Sequence, residues 1–256
     1  MGSCVDIRLV KSVRDNLAET YMTLGTASPG VRESRTDERW MCRSEIKHPV
    51  GNFAARFHLT PEGIRELTAI GRRDHWFRIY VCDGDEPESL VDDFCAMGAD
   101  VRYELVVSAV DSDVHGSQAG PLTLAEEDSQ MSQAFDLIVQ SFFTPAEIWV
   151  RQHMKRALRH SLTQGHEFWS AYDSRGATAA ATLVTAAGVI GLYNLCVRPD
   201  LRNRGLGSEI VQQMIGEARK RGKTLMLQCE PGLVGWYRRL GMVPIARTRA
   251  LAFETR

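Results

Sequence analysis

Residues Val189–Lys220 read V-I-G-L-Y-N-L-C-V-R-P-D-L-R-N-R-G-L-G-S-E-I-V-Q-Q-M-I-G-E-A-R-K. Val189–Val197 is apolar and carries β-branched and aromatic residues, the composition of a buried strand, and Pro199 ends it. Leu206, Ile210, Val211, Met214, Ile215 and Ala218 recur at helical spacing. Between strand and helix stand Arg198, Arg202, Arg204, Gly205 and Gly207. A helix N-terminus offers unpaired N–H groups and the positive end of its dipole. Glycines allow close approach to the backbone, and arginine adds a planar donor fork suited to phosphate. Such a turn suits a pyrophosphate. Taken alone, it is read equally well as a solvated basic turn.

The residues downstream separate these readings. Thr224–Glu230 (T-L-M-L-Q-C-E) is a second short apolar strand. Pro231–Val243 (P-G-L-V-G-W-Y-R-R-L-G-M-V) reads as a helix with Trp236 and Tyr237, stopped at Gly241. Here the chain resembles the GNAT superfamily of acyl-CoA-dependent N-acyltransferases. Arg202, Gly205 and Gly207 match its [R/Q]-x-x-G-x-[G/A] signature, and Tyr237–Met242 matches its Y-x-x-x-G-F signature with Met in place of Phe. Either motif alone is weak; both, in the order strand, turn, helix, strand, helix, are fairly specific.

The resemblance implies an α/β fold whose mixed, mostly antiparallel sheet is flanked by helices. It implies acetyl-CoA as co-substrate, lying where the parallel strands Val189–Val197 and Thr224–Cys229 splay apart. Backbone groups of Leu195, Cys196 and Val197 would pair with the pantetheine amides, as an added strand does. N–H groups across Arg202, Asn203, Arg204, Gly205, Leu206, Gly207 and Ser208 would hold the pyrophosphate, with the Arg202 and Arg204 side chains in support. The activity implied is N-acetyl transfer to a primary amine of a small molecule or peptide, by direct attack on the thioester. Tyr237 would protonate the departing thiolate. Many relatives carry a glutamate base on the strand before the turn, but Val189–Asn194 holds no acid. Ordered water, Glu230, Glu167 and His166 remain open as proton acceptors. The apolar neighbours of Cys196 make it a buried thiol rather than a nucleophile.

A faint repeat extends the reading upstream. Leu90–Gly98 (L-V-D-D-F-C-A-M-G) can be laid on Leu233–Gly241 (L-V-G-W-Y-R-R-L-G), each segment following a strand that ends in Cys and an acid. Phe94 then stands opposite Tyr237. The segment A-R-F-H-L-T, Ala55–Thr60, falls on Arg202–Gly207, so His58 and Thr60 replace the two glycines. The organisation expected is two GNAT-like units in tandem. Residues 1–110 form a degenerate one without a cofactor site, the polar stretch 111–120 (D-S-D-V-H-G-S-Q-A-G) a linker, and residues 121–256 the acetyltransferase domain. Elsewhere, Asp6–Val10 reads as a short strand, Val13–Leu24 as a helix, Ala27–Arg39 as loop, and Ala250–Phe253 as the last strand.

A net charge of −1 over 256 residues gives no general pull toward nucleic acid or membranes. No apolar run reaches the roughly 20 residues of a membrane span, and the start lacks a signal-peptide pattern, so a cytoplasmic protein is expected. Met1-Gly2-Ser3-Cys4 hints at lipidation, but Asp6 stands where Ser or Thr is needed. The six cysteines form no C-x-x-C, and the histidines have no metal spacing, so free thiols and no metal are expected. Two rival readings stand beside the enzyme. A dinucleotide-binding turn is disfavoured because Ile210 stands where the third glycine belongs. A non-catalytic acyl-CoA sensor or interaction module is the alternative that Tyr237 argues against.

Overall fold

The computed structural model describes residues 6–144 and 146–254. Met1–Cys4 and Pro145 lie outside them. The chain divides into two compact units. One holds residues up to 107, 229–232 and those from 244 on; the other holds 108–228 and 233–243.

In the first unit the order is helix α1 (Ile7–Thr26), strands β1 (Arg32–Arg35), β2 (Trp40–Arg43) and β3 (Phe53–Ala55), helix α2 (Pro61–Arg73), strand β4 (Arg78–Cys82), helix α3 (Leu90–Ala96) and strand β5 (Ala99–Val110). The last strand of the chain, β11 (Met242–Phe253), inserts here, giving the order β1-β2-β3-β4-β11-β5. β1, β2 and β3 are antiparallel neighbours, β3 and β4 are parallel, and β11 is antiparallel to β4. Helices α2 and α3 cover one face, where Leu67, Phe77, Ile79, Leu90, Phe94 and Leu251 form a closed core. Burying one such side chain stabilises the fold by about 1.5–3 kcal/mol.

The second unit runs through strand β6 (Thr123–Leu124), helices α4 (Asp128–Phe143) and α5 (Ile148–Thr163), and strands β7 (Glu167–Asp173), β8 (Gly176–Ala186) and β9 (Val189–Val197). Helix α6 (Leu206–Lys220), strand β10 (Thr224–Cys229) and helix α7 (Val234–Arg239) follow. The strand order is β10-β9-β8-β7-β6, antiparallel except for the parallel pair β9–β10. The mixed, mostly antiparallel sheet flanked by helices is the architecture expected. The two halves also share one succession: helix, three antiparallel strands, a crossover helix to a parallel fourth strand, a short helix and a final strand.

Several local expectations are corrected. Asp6–Val10 is not a strand. The Asp6 carboxylate accepts from Arg8 N–H at 2.9 Å and caps α1, which then continues through Val13–Leu24. Ala27–Arg39 contains the short edge strand β1. The last strand begins at Met242, well before Ala250. Its Arg247 and Arg249 both pair with Glu104, at 3.0 and 2.9 Å, while Ala246, Thr248 and Ala250 point inward.

The polar stretch 111–120 lies pinned along α6. Ser117 N–H donates to Gln212 C=O at 2.8 Å, and Arg219 Nε donates to Val114 C=O at 3.0 Å. Next to it, Gln213 exchanges two bonds with the Leu122 backbone, at 3.0 and 2.7 Å. A Cβ on Gly216 would lie 1.9 Å from Ser117 O, whereas one on Gly235 meets nothing within 4 Å. Gly216→Ala is therefore expected to destabilise the protein by about 2 kcal/mol through overpacking against backbone. Gly235→Ala is expected to be neutral or to stabilise by up to about 1 kcal/mol through helix propensity. Urea melts of the two variants check this.

Candidate functional site

The site is built where β9 and β10 part. Their parallel register runs from Val189↔Thr224 to Leu192↔Leu227 and goes no further, although β9 continues to Val197. A β-bulge accompanies the parting. Thr182 pairs with Tyr193 and Ala180 with Cys196, so Asn194 and Leu195 stand opposite Ala181 alone. Asn194 has φ +52°, a left-handed conformation that Asn tolerates better than most residues, and its Nδ2 donates to Thr182 Oγ1 at 3.2 Å. The kinked strand then keeps its bonds to β8 while its other edge turns away from β10. Sequence reading passed over this residue. An Asn within an apolar strand is the signal that could have marked a bulge.

Beyond Val197 a one-turn 3-10 helix (Pro199–Leu201) leads to Gly205, the N-cap of α6, at φ +88° with no side-chain cap. Arg202 N–H is taken by Pro199 C=O at 3.3 Å, and Ser208 N–H by Gly205 C=O at 2.9 Å. Among the described residues, no hydrogen bond engages the N–H groups of Asn203, Arg204, Gly205, Leu206 or Gly207. Five consecutive open donors at an uncapped helix N-terminus fit an anionic group.

The arginines divide. Arg198 is spent on structure, with its guanidinium on Asp173 at 2.5 Å and on Asp200 at 2.7 Å. The side-chain bond from Arg198 holds the Asp173 carboxyl well below the usual range. Arg202 Nε donates to Val197 C=O at 2.9 Å, which ties the turn to the end of β9. Arg204 is exposed.

Of the remaining expected residues, Leu195, Cys196 and Val197 form the free end of β9. Burial pushes the Cys196 thiol up to about 11, so it is no nucleophile at neutral pH. Tyr237 lies on α7, 8% exposed, with its ring 4.5 Å from that of Trp236 in an edge-on arrangement. The benzo edge of Trp236 lies 3.7 Å from where a Cβ on Gly207 would stand, which joins α7 to the first turn of α6. Gly241 ends the helical segment at φ +87°. Glu167 is committed to Arg221 through two bonds, at 2.6 and 2.9 Å, and is not available as a base.

The first unit has the same strand parting, and its own chain fills it. β3 and β4 pair from Phe53↔Arg78 to Ala55↔Tyr80. Past that point Glu86 N–H donates to Phe57 C=O at 3.0 Å, and Leu59 N–H donates to Glu86 C=O at 2.8 Å. These two bonds form a parallel bridge between His58 and Glu86. The Asp85 carboxylate accepts from Phe57 N–H and from Cys82 N–H, both at 2.8 Å. The segment following β4 thus bulges out at Gly84 (φ +91°) and resumes parallel pairing along the strand edge on which a pantetheine arm would be expected. The crossover connection is also shorter here, so Thr60 rather than His58 stands at the place of Gly205. Its hydroxyl accepts from Gly63 N–H at 3.2 Å and caps α2. Phe94, opposite Tyr237, is fully buried in the core.

Residues 126–251 match the family model for the acetyltransferase (GNAT) domain. Residues 126–251 are thereby a GNAT acetyltransferase domain. Among curated proteins it is similar to serotonin N-acetyltransferase 2, chloroplastic, of Oryza sativa subsp. japonica, 33% identical over 107 residues, which cover 40% of this chain and 52% of that one. An uncharacterised protein of Dictyostelium discoideum is 28% identical over 120 residues, 45% of this chain and 26% of that one. The chain thus spans about half or less of the length of these curated relatives. Among solved structures, a GCN5-related N-acetyltransferase from Kribbella flavida superposes with a TM-score of 0.63 at 16% identity, covering 95% of this chain and 96% of that one. A tandem GNAT protein from the clavulanic acid biosynthesis pathway covers 98% of this chain and 88% of its own at a TM-score of 0.57 and 13% identity. At these identities the structures share the fold.

Asp85 supplies a test of the filled gap. Burial raises its carboxyl from 3.8 to about 7, against the pull of its two N–H donors and of the Arg14 guanidinium. A carboxyl raised on folding contributes stability that is fully present below its unfolded value and is lost as pH rises through its folded value. The stability of the wild-type protein relative to Asp85→Asn is therefore expected to fall as pH rises from about 4 to about 7. Urea melts of both proteins across that range check the slope; a constant difference contradicts the burial of this carboxyl.

Proposed function

We propose that the chain is an N-acetyltransferase that moves an acetyl group from acetyl-CoA to a primary amine. In this reading residues 121–256 carry the chemistry, and residues 1–110 are a tandem GNAT-like copy with a closed site. The observation that carries the reading is the row of open N–H donors from Asn203 to Gly207, set between the free end of β9 and the helix bearing Tyr237.

The free edge of β9 at Leu195, Cys196 and Val197 pairs with the pantetheine amides. The turn and α6, from Arg202 to Ser208, receive the pyrophosphate, chiefly on the five open N–H groups. Arg202 contributes by fixing the turn to Val197, and Arg204 by its exposed charge. The neutral amine attacks the thioester carbonyl, forming the C–N bond as the C–S bond breaks. The amine's proton leaves to water or to one of the acceptors left open, Glu230 and His166; β9 up to Asn194 holds no acid, and Glu167 is bound to Arg221. The Tyr237 hydroxyl gives its proton to the departing thiolate.

The acceptor is a primary amine of a small molecule or a peptide. The curated plant relative is named for serotonin, a small-molecule amine, which supports the small-molecule class. Among the described residues no helix is long and apolar enough to cross a membrane.

Tyr237→Phe is expected to lower kcat about a hundredfold, the low end for general acid catalysis, with little change in the affinity for acetyl-CoA. Thiol release with a panel of primary amines measures it, and unchanged turnover removes the catalytic role. Gly205→Glu places a side chain and a negative charge at φ +88°, beside the open donors. It is expected to abolish binding of acetyl-CoA by titration while circular dichroism stays native.

A further inference from the structure

We infer that Trp236 is a cofactor-binding residue, forming one wall of the pyrophosphate site and supplying its indole N–H to the phosphates. This rests on the acyl-CoA reading of the same turn. Three observations carry it. First, the Cη2 and Cζ2 atoms of the ring both lie 3.7 Å from the position of a Cβ on Gly207, so the benzo edge faces the helix turn that has the open donors. Second, Cζ2 is bonded to the ring carbon that bears Nε1, so the N–H lies on the same side of the ring as that contact. Among the described residues no hydrogen bond from the N–H to protein is found, and Trp236 is only half-buried. An indole N–H is a donor only, and it seeks an acceptor in a partly dry site. Third, the ring packs edge-on against Tyr237 at 4.5 Å, so the residue that borders the turn also borders the proposed acid.

The physical consequence follows from the low dielectric of an aromatic wall. An anion held by the N–H groups of Gly205, Leu206 and Gly207 is shielded from water on the Trp236 side, which strengthens each charge-assisted bond. The indole N–H adds one more donor. Phenylalanine at this position keeps an aromatic ring against Tyr237 and Gly207 but removes the N–H; leucine removes the flat wall as well.

The test compares the wild-type protein with Trp236→Phe and Trp236→Leu by titration with CoA, dephospho-CoA and pantetheine. A hydrogen bond to a charged group is worth enough for Trp236→Phe to weaken CoA and dephospho-CoA about tenfold. Trp236→Leu is expected to weaken both further. Pantetheine, which lacks the pyrophosphate, is expected to bind all three proteins alike. In parallel, binding of CoA should change the tryptophan emission of the wild-type protein, and the change should be lost in Trp236→Phe. Equal affinity of the three proteins for CoA, or an equal loss for pantetheine, overturns the assignment while leaving the acyl-CoA reading intact. Failure of the wild-type protein to bind CoA at all overturns both.

Discussion

Two parallel strands that stop pairing part-way along set the rest of the site. The bond ladder between β9 and β10 ends at Leu192 and Leu227, while β9 stays bonded to β8 as far as Val197. A strand held on one edge and released on the other leaves backbone groups that must find partners. The bulge at Asn194, fastened to Thr182, keeps the released edge open. Directly beyond it, the connection to α6 turns its N–H groups outward, and Arg202 anchors that connection to the last carbonyl of β9. Separated strands, open turn and the aromatic pair on α7 form one continuous arrangement within a single unit.

The first unit meets the same constraint differently. Its strands β3 and β4 also part, but the chain resumes pairing at Asp85 and Glu86 along the released edge. Thr60 caps α2 with its hydroxyl, where Gly205 leaves α6 open. Glu38 lies 3.4 Å from that hydroxyl, which makes the surroundings unfavourable to an anion. One topology thus holds an open gap in one unit and a filled gap in the other, and the difference is made by a few residues on each side.

Much of this was legible in the residues themselves. The apolar run Val189–Val197, the helical spacing from Leu206 to Ala218, and Tyr237 four residues before Gly241 place the strand, the turn and both helices. Less legible were features set by distant pairing. The early start of β11 was one such feature: Arg247 and Arg249 pair with Glu104 and Asp83, which are far from them in sequence. Asp85 stands in the polar run Asp83–Glu86, and it is the renewed pairing beyond β4, with Phe57 and Cys82 N–H donating to its carboxylate, that buries it. Arg198 carries the same charge as Arg202 and Arg204; Asp200 stands two residues on, but its commitment to Asp173 depends on a hairpin turn that sequence spacing does not bring near. The polar stretch 111–120 has the composition of a linker, and its docking along α6 rests on Gly216, whose bare Cα admits Ser117.

The central claim is that the chain has one open acyl-CoA site and one that its own backbone fills. Isothermal titration of the purified protein with acetyl-CoA, run beside free CoA, tests it most directly. The account predicts binding of both ligands at one site per chain. Two sites per chain would contradict the filled gap in the first unit, and absence of binding would contradict the acyltransferase reading of the turn from Arg202 to Ser208.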